Sequence, residues 1–458
     1  MKNDFLKSLI SNTAIIGLGS ALSKLLIFIL VPVLTRELSP KDYGLSELII
    51  NTVNLMVPIF SLVIFEAILR YTLDNESSKK EVLAVGLRVT IYGILILLLI
   101  IFVMSFFWDD YFILVSFLGL YVMHALKNCF VYYARGENKF IIITGISVIE
   151  GVALLGIVLL LVCIFEQGIK GYIIGLFISN FIANLLYCLL LRINIASFLK
   201  IRNRELEKKM ISYSVPMIFN SIGWWINNVS DRYMLTYFCS ISLVGIYSVS
   251  YKIPGLLNTL VDVFMQAWKV SATEEYENGK IGHYNKGYRI FILSSILICS
   301  FLICFSNLFS NLLFDVEYQE AWKYSVILII AFLFNGISGY LGTIFTAIKQ
   351  TKYIAYSTIV GAVINVVLNS VLIPLYSATG AAIATVVSNI IIWIYRGVYV
   401  NKYMKIDINM FTLIFLTVIL GLEAVFMCTS NFLLVILCLI FIVILCMKQL
   451  FVIKVRNT

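Results

Sequence analysis

The sequence predicts an all-α integral membrane protein whose chain crosses the bilayer about fourteen times. Three observations carry that prediction: an apolar composition, apolar runs of spanning length along the whole chain, and one-sided loop charge. Of 458 residues, 61% are hydrophobic and 13% charged, with a mean hydropathy of +0.98. Soluble domains carry about 25% charged residues, so only an apolar solvent accommodates this composition throughout. Backbone groups in lipid must pair internally, which restricts spans to helices and closed barrels. Barrel strands alternate apolar and polar residues over about ten positions. Runs such as Ile91 to Met104 and Phe432 to Met447 are continuously apolar, so the spans are helical.

Taken in order, the spans fall at 11–35, 43–70, 82–107, 111–134, 140–165, 170–193, 209–238, 243–270, 287–314, 322–348, 353–375, 379–401, 408–428 and 431–452. Each is long enough for a hydrocarbon core of roughly 30 Å. The longest polar stretches, 194–208 and 271–286, leave no room for an extramembrane catalytic domain. The first apolar run is too long for a cleavable signal peptide and lacks a small-residue cleavage site.

Loop charge orients the chain. Of 34 Lys and Arg, four (Arg36, Lys41, Lys170, Lys323) fall in or at the span ends of the segments on one side and 26 in those on the other, with Lys24, Lys127, Arg232 and Lys252 assigned to neither. The positive-inside rule makes that basic side cytoplasmic, with both termini there. It also explains the net charge of +9 without a nucleic-acid partner. The nine cysteines form no CxxC pair, and His124 and His283 are far apart. No metal site, disulfide framework or cofactor is indicated. The chain has no phosphate-binding G-x-x-x-x-G-K-[ST] loop and no G-x-S-x-G or H-E-x-x-H motif, which excludes direct ATP use and the common hydrolase chemistries.

An internal repeat organises the spans. Thr35-Arg36-Glu37-Leu38-Ser39 to Tyr43-Gly44 lines up with Thr236-Tyr237-Phe238-Cys239-Ser240 to Val244-Gly245 at an offset of 201. Gly171 followed by Ser179-Asn180 lines up with Gly380 followed by Ser388-Asn389 at an offset of 209. Spans one to six thus repeat as seven to twelve. Six is even, so the repeat is parallel, about an axis along the membrane normal, as in many transporters. The expected domains are an N-terminal lobe at 1–200, a C-terminal lobe at 201–403 and two further helices at 404–458.

Polar residues at membrane depth are costly and concentrate on cavities and bundle interiors. Span eight carries Ser248, Lys252, Gly255, Thr259 and Asp262 at helical spacing, on one face. Span two carries Glu47, Asn51, Asn54, Pro58 and Ser61 at the same spacing and offset. The shared stripe is read as the lining of a central cavity. Lys24 in span one, Arg232 in span seven and Lys252 stagger three cations in depth, with Trp224, Trp225, Asn227 and Asn228 near Arg232. That set suits an anionic headgroup carrying sugars. Asp231 beside Arg232 is either a structural ion pair or, with Glu150 and Asp262, an ion-coupling site. Glu150 is alternatively a partner of Lys24. Glu66, Arg70 and Arg88 read as a structural network, Lys127 and His124 as snorkelling side chains, and Glu423 as packing-related or groove-facing.

Asp231-Arg232-Tyr233-Met234-Leu235, followed by Val244-Gly245-Ile246-Tyr247-Ser248 and Tyr251-Lys252-Ile253, resembles the polysaccharide biosynthesis/export family. So does Leu34-Thr35-Arg36 to Tyr43-Gly44. The family belongs to the multidrug/oligosaccharidyl-lipid/polysaccharide exporter superfamily and includes the O-antigen and capsule repeat-unit flippases of Wzx type. The resemblance implies a non-enzymatic flippase in the cell membrane. Its substrate would be an undecaprenyl-diphosphate-linked oligosaccharide, moved by alternating access of two lobes. It implies cationic residues on the diphosphate, for which Lys24, Arg232 and Lys252 are the candidates by placement. The implied partners are the lipid-linked oligosaccharide, membrane lipid, and a glycan polymerase or glycosyltransferases of the same pathway. The alternative is a cation-coupled multidrug exporter of the same superfamily, with Glu47, Glu150 and Asp262 dominating its cavity.

Overall fold

The computed structural model describes residues 25–26, 28–74, 78–277, 281–348, 350–405 and 410–455, and among these the chain is helical with no strand. Ser39 starts α1 (Pro40–Phe60): its hydroxyl accepts the Asp42 N–H at 3.2 Å. Pro40 occupies the first turn, where an N–H has no helical partner to lose. Span two does not run as one helix. It breaks at Leu62 and Val63, both left-handed at φ +54° and +52°, before α2 (Ile64–Leu73). A left-handed backbone is strained for a β-branched valine. The break brings the Phe60 carbonyl against Gly93 of α3 (Lys79–Met104) so closely that any Cβ there would overlap it.

Helices α4 (Tyr111–Gly136), α5 (Phe140–Val158) and α6 (Gly168–Leu190) follow. Between α5 and α6 the chain winds as a π-helix over Leu159–Ile164. Two short helices, α7 (Ile195–Lys200) and α8 (Arg204–Ser214), lead to α9 (Met217–Phe238). Asn194 and Asn203 cap α7 and α8 through their side-chain oxygens.

Ser240 caps α10 (Ile241–Ser250) by accepting the Leu243 N–H at 3.2 Å. Ser39 and Ser240, 201 residues apart, thus perform the same capping. The second offset behaves likewise: the Ser179 and Ser388 hydroxyls each donate to the carbonyl three residues back. After α11 (Lys252–Glu277), α12 (Ile281–Cys304) and α13 (Ser306–Leu313), α14 (Ala321–Ala347) forms the buried centre of its unit. It packs against α11, α12 and α15 (Lys352–Val400). α15 folds back at Ser377 (φ +52°), so that Asn365 meets Ser388 at 3.4 Å across the hairpin. It thereby supplies spans eleven and twelve. Gly380 touches the Leu372 carbonyl after that turn, where no Cβ fits. α16 (Met410–Cys428) and α17 (Phe432–Val455) close the chain and pack on α12.

Among the described residues, ten helices are long and apolar enough to cross a membrane, the folded α15 being one of them. α9 falls short because Asn227, Asn228, Asp231 and Arg232 dilute it; in span eight, α10 is short and Lys252, Asn258, Asp262, Gln266 and Lys269 dilute α11. Span one begins in residues outside the description. The chain divides into two compact units between Val229 and Ser230, inside α9. That point lies beyond the repeat boundary at 200/201. α16 and α17 belong to the second unit.

Candidate functional site

In the second unit, the polar residues of α9 meet those of α10. Asp231 and Arg232 are adjacent, so a helix cannot point both the same way, and both are buried. Tyr247 and Tyr251, one turn apart, donate their hydroxyls to Asp231 Oδ2 at 3.0 and 2.9 Å. Asp231 Oδ1 accepts the Arg232 N–H at 2.9 Å and lies 3.4 Å from Arg232 Nη1. The guanidinium stacks on the Tyr251 ring, 4.4 Å from its centroid, and Nε donates to the Ser248 hydroxyl at 3.3 Å. The Asp231 carboxylate thus has four donors from its own unit. Of the two readings of this pair, the structural one describes its geometry. Neither tyrosine was singled out in connection with Asp231, although their spacing of four after an Asp-Arg pair is visible in the sequence.

Span eight loses one helical hydrogen bond beside Tyr251, between α10 and α11, and Pro254 is the cause. Proline has no N–H for the Ser250 carbonyl, and its ring clashes with that carbonyl. The freed oxygen accepts the Ser325 hydroxyl of α14 at 2.8 Å, and both serines are fully buried. The backbone stays helical through this point, with Tyr251 at φ −71° and the Gly255 N–H bonded to the Tyr251 carbonyl at 2.9 Å. Ser248 lies buried against Arg232, whereas Lys252, Gly255, Thr259 and Asp262 lie half-buried on α11. The Thr259 hydroxyl bonds back to the Gly255 carbonyl at 3.0 Å.

In the first unit, Glu47 and Asn51 are half-buried on α1 and Asn54 is exposed, whereas Pro58 and Ser61 are buried near the break. Trp225 Nε1 donates to the Asn51 carbonyl at 2.9 Å. That bond brings together two residues expected at the site. The Asn51 amide nitrogen, Asn227 Oδ1 and the Ser230 hydroxyl are buried without a hydrogen-bond partner among the described residues. Trp224 is exposed, and the Asn228 amide returns to its carbonyl at 2.7 Å. Lys24 lies outside the described residues.

Other charges settle differently from expectation. Glu150 is not isolated: Lys127 Nζ sits 2.7 Å from its Oε1. That contact replaces the snorkelling reading of Lys127; the expected Lys24 partner of Glu150 lies outside the described residues. Arg88 turns to Glu207 of α8 at 3.0 Å rather than to Glu66, and it donates to the carbonyls of Leu199 and Ile201. Arg396, counted among loop charges, is buried and bonds the Ser357 hydroxyl at 2.9 Å and the Ser338 carbonyl at 2.9 Å. Glu423 is buried and accepts the Ser300 hydroxyl at 2.6 Å. Outside the spans, partial burial pushes the Glu137 carboxyl up, but bonds and charge from Lys79 (2.8 Å) and Lys139 (3.2 Å) outweigh it and hold it below the usual range. No group of three metal-ligating side chains occurs among the described residues.

Three comparisons bear on this architecture. The whole chain resembles a structure described as the lipid II flippase MurJ in an inward closed conformation. The TM-score is 0.71 at 15% identity, over 96% of this chain and 99% of that one. An inward-facing multidrug resistance MATE family transporter of the MOP superfamily matches at 0.67 and 13% identity, over 85% and 98%. A MOP superfamily transporter from Pyrococcus furiosus, described as having reverse polarity of the binding pocket, matches at 0.59 and 13% identity, over 86% and 96%. These likenesses establish the all-helical transporter fold. No curated protein matches the sequence at a significant level. The family model for polysaccharide biosynthesis proteins matches residues 9–269, more than half of the chain, and the chain belongs to that family.

Proposed function

We propose that the protein is a flippase that carries an undecaprenyl-diphosphate-linked oligosaccharide repeat unit across the cytoplasmic membrane for a surface polysaccharide such as O-antigen or capsule. The observation that carries this reading is the family match over residues 9–269 on a fold like that of a lipid II flippase. Both point to glycan precursors on lipid carriers. The lobes implied by the repeat alternate access by rocking, and each substrate contact shifts the balance only by its difference in affinity between states.

Within this reading, Lys24 and Lys252 neutralise the diphosphate. Arg232, fixed by Asp231, Tyr247 and Tyr251, acts as a rigid electropositive wall. Glu47, Asn51, Trp224, Trp225, Asn227 and Asn228 serve the sugars, since stacked rings and amides recognise hydroxyl-rich faces. The half-buried Asp262 and the Lys127–Glu150 pair are the candidates for ion coupling. The glycan polymerase or glycosyltransferases of the same pathway are its partners, and both termini lie in the cytoplasm. The test is replacement of Lys24 and Lys252 together by Gln. Surface glycan assembly is lost while the purified variant keeps its melting temperature; intact assembly removes the diphosphate role.

A second reading, a cation-coupled drug exporter, is favoured by the likeness to MATE family transporters. Deletion then changes drug susceptibility and leaves surface glycan intact.

A further inference from the structure

A basic cleft on the first unit lies apart from all of these residues. It encloses about 520 Å³ and is lined by Tyr92 of α3, Arg202, and Arg204, Glu207, Lys208 and Ile211 of α8. Helix α8 has three faces. Leu206, Met210 and Ser214 are buried, and the first two belong to the core of the unit. Glu205 and Lys209 pair with each other at 2.8 Å on the exposed side. Arg204, Lys208 and Ile211, at helical spacing, are left for the cleft. The acidic member, Glu207, is already neutralised by Arg88 at 3.0 Å. The lining therefore keeps three positive charges: Arg202, Arg204 and Lys208, all exposed.

Helix α3 places the cleft at the edge of the hydrocarbon. From Val82 to Thr90 every α3 residue is buried. From Tyr92 onward one side of α3 is exposed, with Leu95, Ile96, Leu99 and Val103 on it, while Leu97 and Ile101 stay buried. Tyr92 to Met104, the end of α3, spans about 18 Å at 1.5 Å per residue, more than half of a hydrocarbon core of roughly 30 Å. Span three, expected at 82–107, thus meets lipid only from about Tyr92, because α3 before it is covered by protein; that places Tyr92 at the depth where interfacial tyrosines concentrate, with the three cations on its polar side. Leu95, Leu99 and Val103 continue an apolar stripe away from the cleft on the same side of the helix. Cations at headgroup level above an exposed apolar stripe match a phosphate joined to acyl chains. A free phosphate has no use for the stripe.

We propose that this cleft is a binding site for the phosphate headgroup of an anionic phospholipid in the leaflet on the basic side of the protein. The headgroup seats between Arg202, Arg204 and Lys208, and the acyl chains follow Tyr92, Leu95 and Leu99. The proposal is independent of what the protein transports.

The test uses the full chain in phosphatidylcholine nanodiscs with and without phosphatidylglycerol, read by native mass spectrometry of retained lipid. Each cation near an anionic headgroup contributes roughly a fivefold gain in binding. Replacement of Arg202, Arg204 and Lys208 by Gln lowers retention of phosphatidylglycerol by about a hundredfold. The exposed Glu205→Gln/Lys209→Gln pair leaves it unchanged. Inorganic phosphate at millimolar concentration does not displace the lipid from the wild type. A photoactivatable phosphatidylglycerol crosslinks wild-type protein within 92–99 or 202–212, a readout that needs no variant to fold. Undecaprenyl diphosphate supplies the other arm. The proposal is overturned if the triple variant retains phosphatidylglycerol as wild type does, if it loses only undecaprenyl diphosphate, if free phosphate competes, or if the crosslink falls elsewhere.

Discussion

Ser325→Ala removes one oxygen and tests how the carbonyl freed by Pro254 in span eight is satisfied. The Ser325 hydroxyl is the partner of the Ser250 carbonyl at 2.8 Å, and Pro254 is the reason that carbonyl needs one. Both groups are fully buried. An unpaired buried carbonyl costs about 1–3 kcal/mol, and measured hydrogen-bond couplings in membrane proteins average about 0.6 kcal/mol. The expected destabilisation is therefore about 1 kcal/mol, and the upper figure of about 3 holds only if no other donor reaches the oxygen. A double-mutant cycle separates this effect from general loss of packing. Pro254→Ala restores an N–H at position 254, which can bond the Ser250 carbonyl. In that background Ser325→Ala becomes nearly neutral. The assay is reversible unfolding of the purified protein in mild detergent, read by circular dichroism for each corner of the cycle. Equal effects of Ser325→Ala in both backgrounds would falsify the link between proline and serine.

Three further outcomes follow from the same geometry. Arg88→Met strands the Glu207 carboxylate and two carbonyls and destabilises the first unit by roughly 2–4 kcal/mol, whereas Arg88→Met with Glu207→Met recovers part of that loss; chemical denaturation of both variants checks it. Gly93→Ala, which forces a methyl onto the Phe60 carbonyl, costs about 1–3 kcal/mol, while Gly145→Ala, with open space around it, leaves the melting temperature within a degree or two. Because the Glu137 carboxyl is held below its unfolded value by Lys79 and Lys139, its contribution is complete above about pH 4.3 and disappears as pH falls through the folded value. Glu137→Gln therefore flattens that acid limb by up to about 1 kcal/mol, in melts taken from pH 6 to pH 3.

Features written locally were legible in the sequence. The alignment of Ser39 with Ser240 reads from the sequence, and each caps a helix because a short side-chain oxygen precedes it. The 201-residue offset survives as matching caps for the same reason. In span eight, Pro254 announces a lost helical bond, but the partner of the freed carbonyl, Ser325, is set by tertiary packing. The break at Leu62 and Val63 has no glycine to announce it. The partners of charged residues were least legible. Lys127 and Glu150 are 23 residues apart, and Arg88 and Glu207 are 119 apart. Spacing on one helix says nothing of such pairs. Asp231 lay between these cases, since Tyr247 and Tyr251 share a face, but which face of α10 meets α9 is decided by packing.

The account stands or falls on whether a lipid-linked glycan crosses the bilayer through this protein. The direct measurement places an undecaprenyl-diphosphate oligosaccharide in both leaflets of sealed proteoliposomes and follows its accessibility to a glycan-cleaving enzyme added outside. The account predicts that about half of the substrate is cleaved in empty vesicles and nearly all of it with protein present. With Lys24 and Lys252 both replaced by Gln, cleavage returns to the half. Cleavage that stays at half with folded wild-type protein, while a cationic drug is expelled from the same vesicles, contradicts the account and favours the drug exporter.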